Sequence, residues 1–219
     1  MMLREEFQKQ LEELNRHVSQ MGLQVLEAIH NGVRSYTEQN VEVAQQVVDN
    51  DSKINHAEIK LEQACTRLIA LQQPNTTDLR AIVTAMKVCS DLERMGDHAV
   101  AIAKTTIRVK GNPRIPGSDK VLAEAGAYVE QMLRESLDNL YKLAINAAKE
   151  TAKHDEKVNH LFVVANQLAI EEMKKKPEMV FNGSGFISVM GNIERIGDYV
   201  TNICERIIYI ETGELVELG

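Results

Sequence analysis

Apolar residues recur in alternating steps of four and three near the start of the chain, and they form the clearest pattern in the sequence. The set is Phe7, Leu11, Leu14, Val18, Met21, Val25, Ala28 and Gly32. On a helix this spacing gives one continuous apolar face, which is typical of long helices that cross their neighbours at a shallow angle. The pattern predicts a long first helix within a helical bundle.

Turn-forming residues predict five further helices. In the first half the first helix ends at a break at residues 36–40, and Thr37 or Asn40 caps the second helix. The second helix runs to Gln72 and stops at Pro74. Thr76 or Thr77 caps the third helix, which ends near Lys110. In the second half a fourth helix starts near Ser118, a fifth follows a boundary at residues 139–144 and ends at residues 174–176, and a sixth follows residues 183–185 and reaches about Ile210.

The segment 111–117 contains two of the four prolines and is the best candidate linker. It separates residues 1–112 from residues 118–219, each with three predicted helices. The sequence therefore predicts an all-α protein that consists of two antiparallel three-helix bundles, with six long helices in total.

The two halves are copies of one unit. The motif Glu-Arg-x-Gly-Asp occurs at residues 93–97 and again 101 positions later. At an offset of 104 positions, Asp51, Lys53, Asn55 and His56 recur as Asp155, Lys157, Asn159 and His160, Gly22 recurs as Gly126, and Val33 corresponds to Leu137. An internal duplication with a short deletion in the second copy explains both offsets.

Polar residues four positions apart lie on one face of a helix. The pairs with this spacing are Asp51 with Asn55, Glu93 with Asp97, Asp155 with Asn159, and Glu194 with Asp198. In the first half Asp51 and Asp97 are both 23 residues from Pro74, and in the second half Asp155 and Asp198 are equidistant from the bond between residues 176 and 177. Because both arms of a helical hairpin rise equally per residue, each half should gather three carboxylates and one carboxamide.

Such clusters require a counter-charge, because like charges about 6 Å apart repel by roughly 3 kcal/mol at an effective dielectric constant of about 20. Hard oxygen ligands suit iron, manganese, magnesium or calcium, with zinc as a further candidate. The alternative is that Arg94, Arg195, Lys53 and Lys157 form ordinary ion pairs between the helices.

Glycine and histidine residues accompany these clusters. Gly96 and Gly197 lie within the acidic pairs, where glycine destabilises a helix by about 1 kcal/mol relative to alanine; they predict a close approach, either of a packed helix or of a ligand. A helical neighbour points about 100° away, so we expect His56, His98 and His160 to be surface residues.

Composition narrows the possible functions. The formal net charge is −7, which disfavours a nucleic-acid partner. No stretch approaches the roughly 20 apolar residues of a membrane span, and the acidic segment 1–6 does not resemble a signal peptide. Three widely spaced cysteines, Cys65, Cys89 and Cys204, are expected to be small core residues.

The sequence resembles the PhoU family of bacterial phosphate-transport regulators over about residues 1–212. The resemblance rests on residues 51–58, the segment 73–80, the doubled Glu-Arg-x-Gly-Asp motif and residues 202–205. It implies two three-helix bundles and a cytoplasmic regulator near the inner membrane. The implied partners are the ATPase subunit of a phosphate ABC transporter and a sensor histidine kinase, and no catalytic activity is implied; we also expect a homodimer.

The resemblance also implies multinuclear iron or zinc on acid-x-x-x-acid motifs, which here are the four pairs given above. This sequence departs from the acidic form at Asn55 and Asn159, and a carboxamide cannot bridge metals as a carboxylate does.

Two other functions compete with this interpretation. A ferritin-like di-iron oxidoreductase needs two Glu-x-x-His motifs on inward faces, but only Glu27 with His30 fits, since the equivalent residues are Gln131 and Arg134. A helical scaffold without a phosphate role would share every feature derived from the residues alone.

Overall fold

The computed structural model describes residues 2–219, and side chains from residue 5 onward. Met1, the start of the first predicted repeat, lies outside the described residues. The helices are α1 (Met2–Thr37), α2 (Val41–Gln72), α3 (Thr76–Val109), α4 (Ser118–Lys142), α5 (Ile145–Ala152), α6 (Asp155–Lys175) and α7 (Val180–Thr212), with a 3-10 turn at Pro177–Met179. The all-α class is confirmed.

The helix caps follow local hydrogen bonding. Of the two candidates for α2, Asn40 is the cap, because its side chain accepts the backbone N–H groups of Glu42 and Val43. The prediction of Thr76 or Thr77 for α3 is wrong. Asn75 accepts the N–H of Asp78 and donates to its carboxylate, so this reciprocal pair starts the helix one residue earlier.

The second half departs from the prediction at two places. The predicted fifth helix is interrupted at residues 153–154 and forms α5 and α6. The last helix begins at Val180, before residues 183–185, because its glycines serve packing rather than a turn. A Cβ atom at Gly183 would lie 2.6 Å from Met173 Sδ, and one at Gly185 would lie 2.8 Å from Val109 Cγ1.

The two halves share one core. In the first half α1, α2 and α3 contact one another, and in the second half α4 and α7 pack with α5 and α6. The halves meet through α1 with α4 and α3 with α7, so the buried apolar residues form a continuous cluster from Phe7 to Ile207. The outer helices α2 and α6 therefore each pack against their own half.

Reciprocal contacts join α1 to α4. A Cβ atom at Gly22 would overlap Leu137 Cδ1, and one at Gly126 would lie 3.0 Å from Val33 Cγ1. Gly22 corresponds to Gly126 and Val33 to Leu137, so in each half a glycine leaves room for an aliphatic side chain from the equivalent position of the other half. This is the arrangement of a two-fold symmetric dimer interface, formed here within one chain.

The three cysteines are free and buried, which confirms the expected core positions. Burial raises the pKa of Cys65 and of Cys204 to about 12. Within residues 2–219, none of the helices combines the length and apolar character that a membrane crossing requires.

Two candidate carboxylate sites

Each half brings one face of its third helix against its second helix at the predicted level. In the first half a Cβ atom at Gly96 would lie 3.1 Å from Ile54 Cδ1, so residue 54 of α2 is level with residue 96 of α3. In the second half Gly197 of α7 faces Asp155 and Val158 of α6. The hairpin geometry therefore sets the predicted carboxylates at matching heights in both copies.

The first site lies between α2 and α3. Asp51 is half-buried, and Asn55 Nδ2 donates to its Oδ2 over 3.3 Å. The remaining oxygens, Asp51 Oδ1 and Asn55 Oδ1, are buried and have no hydrogen-bond partner within the described residues. The carboxamide thus holds one carboxylate oxygen and leaves two oxygens free to meet a ligand.

The second site repeats this arrangement at the start of α6. Asp155 is only 7% exposed, and Asn159 Nδ2 donates to its Oδ2 over 2.8 Å. Asp155 Oδ1 is again buried without a partner among the described residues. It points at Gly197, where a Cβ atom would lie 2.5 Å away. Gly197 therefore makes room for a carboxylate, whereas Gly96 makes room for an aliphatic side chain.

The electrostatics of both sites disfavour full ionisation. Burial, followed by the neighbouring Asp198, raises the pKa of Asp155 to about 6. Burial and then Asp97 raise the pKa of Glu93, with smaller contributions from Glu58 and Asp51. Burial and Asp198 likewise raise the pKa of Glu194. In both copies the carboxylates repel one another, as their placement predicted.

Among the side chains that the structure describes, basic residues do not form the interhelix ion pairs of the alternative interpretation. Arg195 lies 3.7 Å from Glu194 and 3.4 Å from Asp198, but all three belong to α7 and the Arg195 side chain is 64% exposed. Lys157 instead lies over the ring of Tyr128, 5.2 Å from its centroid. In the described part of the chain, no ion pair reaches the carboxylates of the first site.

The donor set fits a hard cation in its chemistry. Carboxylate and carboxamide oxygens are the ligands that such ions take, and both copies leave a buried aspartate oxygen unpaired. As the described side chains are placed, no group of three or more His, Cys, Asp or Glu residues is close enough to hold a metal ion. A bound ion would therefore draw Glu93 and Asp97, or Glu194 and Asp198, toward the aspartate of the facing helix.

The histidines are placed differently from one another. His56 and His160 are exposed, as expected. The surface prediction is wrong for His98, which is half-buried between α3 and α7. Its Nδ1 lies 2.8 Å from Asn192 Oδ1 and its ring centroid is 5.7 Å from that of Tyr199. The difference arises from the extensive packing of α3 on α7, which cannot be predicted from the periodicity of α3 alone.

Two further acidic residues were missed by the sequence argument. Asp91 is buried between the halves, and its Oδ2 accepts from Arg206 Nε over 3.1 Å. Glu58 lies two helical turns after Asp51 on α2. Burial and then Glu62 raise the pKa of Glu58, with a smaller contribution from Asp97. The spacing of Glu58 from Asp51 is one heptad, a signal that could have added it to the cluster.

The described residues do not form the di-iron arrangement. Glu27 and His30 are exposed on α1, and His30 Nδ1 lies 3.2 Å from Glu130 Oε1 on the neighbouring helix surface. Such a centre needs its glutamate and histidine ligands on inward faces of the bundle. The outward orientation of this pair excludes it as half of a di-iron site.

Known proteins share this whole architecture. The family described as "PhoU domain" matches residues 18–106 and 122–207. The Phosphate-specific transport system accessory protein PhoU homolog of Streptococcus pneumoniae is 35% identical over 217 residues, which cover 99% of this chain and all of that protein. The homolog of Clostridium acetobutylicum is also 35% identical, over the full length of both chains.

Solved structures give the same result. The crystal structure of the phosphate transport system regulatory protein PhoU from S. pneumoniae superimposes with a TM-score of 0.91 at 34% identity, covering 96% of this chain and 99% of the other. PhoU from Pseudomonas aeruginosa superimposes with a TM-score of 0.91 at 29% identity, covering 95% and 100%. The chain, with its two repeats and paired carboxylate faces, belongs to the PhoU family of phosphate-transport accessory and regulatory proteins, which are not enzymes.

Proposed function

We propose that this protein restrains the phosphate-starvation response when phosphate is plentiful, by linking a phosphate ABC transporter to a sensor histidine kinase. The observation that supports the proposal is similarity along the whole chain to proteins named as phosphate-specific transport system accessory proteins. Both repeats take part in that similarity, so neither half is left over for an unrelated role.

The surface chemistry is compatible with a protein that acts by docking. Each carboxylate site includes residues of an outer helix, α2 or α6. The net charge of −7 favours basic surfaces or cations as partners. We place the transporter ATPase subunit and the kinase among those partners, and with them a cytoplasmic location at the inner face of the membrane.

Cations at the two carboxylate sites form the second part of the proposal. In the first half the ligands would be Asp51, Glu93 and Asp97 with the Asn55 carbonyl oxygen, and in the second half they would be Asp155, Glu194 and Asp198 with the Asn159 oxygen. Iron, zinc or another divalent cation would neutralise these side chains and tie α2 to α3 and α6 to α7. Because the carboxamides replace bridging carboxylates, the nuclearity should be low.

Gene deletion tests the regulatory role. In phosphate-rich medium, loss of this gene should raise the expression of a phosphate-starvation reporter, and the wild-type gene should restore repression. The control is the same deletion in phosphate-poor medium, where the reporter is already active. Unchanged expression in a strain without a second copy of the gene would favour the scaffold without a phosphate role.

Physical association gives an independent test of the partners. The tagged protein should recover a phosphate-transporter ATPase subunit and a sensor kinase from cells grown in high phosphate. Sedimentation of the purified protein should show a homodimer. Recovery of neither partner, even after cross-linking, would contradict the proposed linkage, whereas a monomer would remove only the homodimer.

A further inference from the structure

A polar cleft opens between α1 and α2 in the first half, beside the carboxylate site. It has a volume of about 220 Å³. Its floor is apolar and includes Val47, Ile54 and Val100 around the bare backbone of Gly96, all of which are buried. Carboxamides line its rim, so the cleft combines an apolar base with hydrogen-bonding groups at the edge, as small-molecule sites do.

The second half carries different side chains at the positions equivalent to those that line the cleft. Three residues that line the cleft, Gln24, Asn50 and Lys53, correspond at an offset of 104 positions to Tyr128, His154 and Lys157. Tyr128 approaches both of the other equivalents. The ring centroids of Tyr128 and His154 are 6.5 Å apart at an interplanar angle of 27°, and Lys157 Nζ is 5.2 Å from the Tyr128 centroid.

The backbone differs at the same place. Helix α2 continues through Asn50, whereas the second copy is interrupted at residues 153–154, which puts His154 at the break beside Tyr128. The first half keeps the lysine but has glutamine in place of the aromatic ring. Within one fold, one copy therefore places a planar ring under a lysine, and the other has an open cleft lined by the equivalent lysine.

The charges around the cleft select against anions. Glu27 and Asp51 line it together with Lys53, which gives a formal charge of −1 from these three residues. As long as no cation is bound at Asp51, phosphate and other anions would meet net repulsion there. The side-chain amides of Gln24, Asn31, Gln46 and Asn50 offer both donors and acceptors.

We infer that this cleft binds a small, planar, uncharged heteroaromatic ring, of the kind found in a nucleobase. The ring would take the place that Tyr128 occupies in the second copy. Its face would lie under Lys53, as the phenol ring lies under Lys157, and its edge would pair with the carboxamides, which form two-point hydrogen bonds with adenine-like edges.

Amide chemical-shift mapping on the full chain tests the inference, with adenine and 4-methylphenol as probes and inorganic phosphate as the anionic comparison. Adenine should shift the amide signals of residues 24–31, 46–54 and 96–100, and 4-methylphenol should shift the same set more weakly. Phosphate should leave them unchanged. No shift from either ring probe up to its solubility, or a shift from phosphate alone, would overturn the inference.

The most informative variant introduces into the cleft the tyrosine that the second repeat has at the equivalent position. Gln24→Tyr should weaken adenine binding by at least about tenfold, because the chain then fills the cleft as Tyr128 does. Gln20→Tyr, on the exposed surface of the same helix and outside the cleft, is the matched control and should bind as the wild type does. Equal binding by the Gln24→Tyr variant and the wild type would place adenine elsewhere and contradict the inference.

The lysine provides a second variant that leaves the cleft open. Lys53→Gln should weaken adenine binding by about two- to fivefold through loss of the cation over the ring. Tyr128→Gln, which opens the equivalent space in the second half, should create a second set of shifts around residues 128 and 154–157. An unaltered affinity in the Lys53→Gln variant would contradict the proposed position of the ring.

Discussion

His98 of α3 contacts Tyr199 of α7, its own equivalent in the second repeat, with ring centroids 5.7 Å apart. Equivalent residues of two copies meet only where a two-fold axis passes between the copies. Asp97 and Asp198 immediately precede them in sequence, so the two carboxylate sites lie on either side of this internal axis. The chain is therefore built like a symmetric dimer whose halves are joined at residues 111–117.

The close approach of Leu137 to Gly22 at the interface between α1 and α4 gives the first prediction. Gly22→Ala should lower the free energy of unfolding by about 1–2 kcal/mol, because the added methyl group overlaps Leu137 and overpacking outweighs the helical preference for alanine. Gly191→Ala is the matched control. Its Cβ atom would lie 3.8 Å from Phe162, so that variant should be neutral or more stable by up to about 1 kcal/mol.

Urea unfolding of the two variants measures the difference. Leu137→Ala in the Gly22→Ala background should recover part of the lost stability, which a double-mutant cycle would show as coupling between the two sites. Additive effects of the two substitutions would contradict the direct contact.

The close approach of Asp155 to Gly197 gives the second prediction. Gly197→Ala should displace the Asp155 carboxylate and destabilise the fold by about 1–3 kcal/mol. Gly96→Ala should be milder, since its Cβ atom meets the flexible end of Ile54 at 3.1 Å. Thermal unfolding of both variants in chelator distinguishes them; equal losses would show that the carboxylate plays no special part.

The raised pKa of Asp155 gives the third prediction. Its pKa is about 6 in the folded state and about 3.9 in an unfolded chain. Between these values the folded state binds more protons, so stability falls as the pH rises from about 4 to about 6, by roughly 1–3 kcal/mol for this group. The raised pKa values of Glu93 and Glu194 act in the same direction.

Urea unfolding of the chelator-treated protein across this pH range is the measurement. Asp155→Asn removes the titrating group at nearly constant volume and should flatten the dependence, while Asp138→Asn, an exposed acid on α4, should leave it unchanged. A stability that rises with pH across this range in the treated wild type would contradict the account of the second site.

The sequence predicted the helical class, the duplication and the matching levels of the facing helices at the carboxylates, because heptad spacing and a four-residue period act over short distances. The break between α5 and α6 was not predictable, since no proline or glycine marks residues 153–154 and the stacking of His154 on Tyr128 depends on a distant helix. Gly183 and Gly185 suggested a turn, but both provide room for side chains of other helices.

Within the sites, residue types were predictable and hydrogen-bond directions were not. Asn55 and Asn159 were expected as ligands, and in both copies the amide nitrogen donates to the aspartate four residues earlier. The half-buried position of His98 arises from the interface between the halves, which the helical period of α3 alone does not reveal.

Neutralisation of both carboxylate sites by bound cations is the central claim, and it gives the fourth prediction. Replacing Glu93 and Asp97 together by Gln and Asn should remove the metal of the first half and leave that of the second. Chelation should lower the melting temperature of the wild type, because an ion held only by the folded state stabilises it by mass action, and the double variant should respond less.

Elemental analysis of the protein purified without chelator, combined with its melting curve before and after chelation, tests this claim most directly. We expect bound divalent or trivalent metal in the wild type, about half as much in the Glu93→Gln/Asp97→Asn variant, and a chelator-induced fall in melting temperature. A metal-free wild-type protein whose melting temperature does not change with chelator would contradict it.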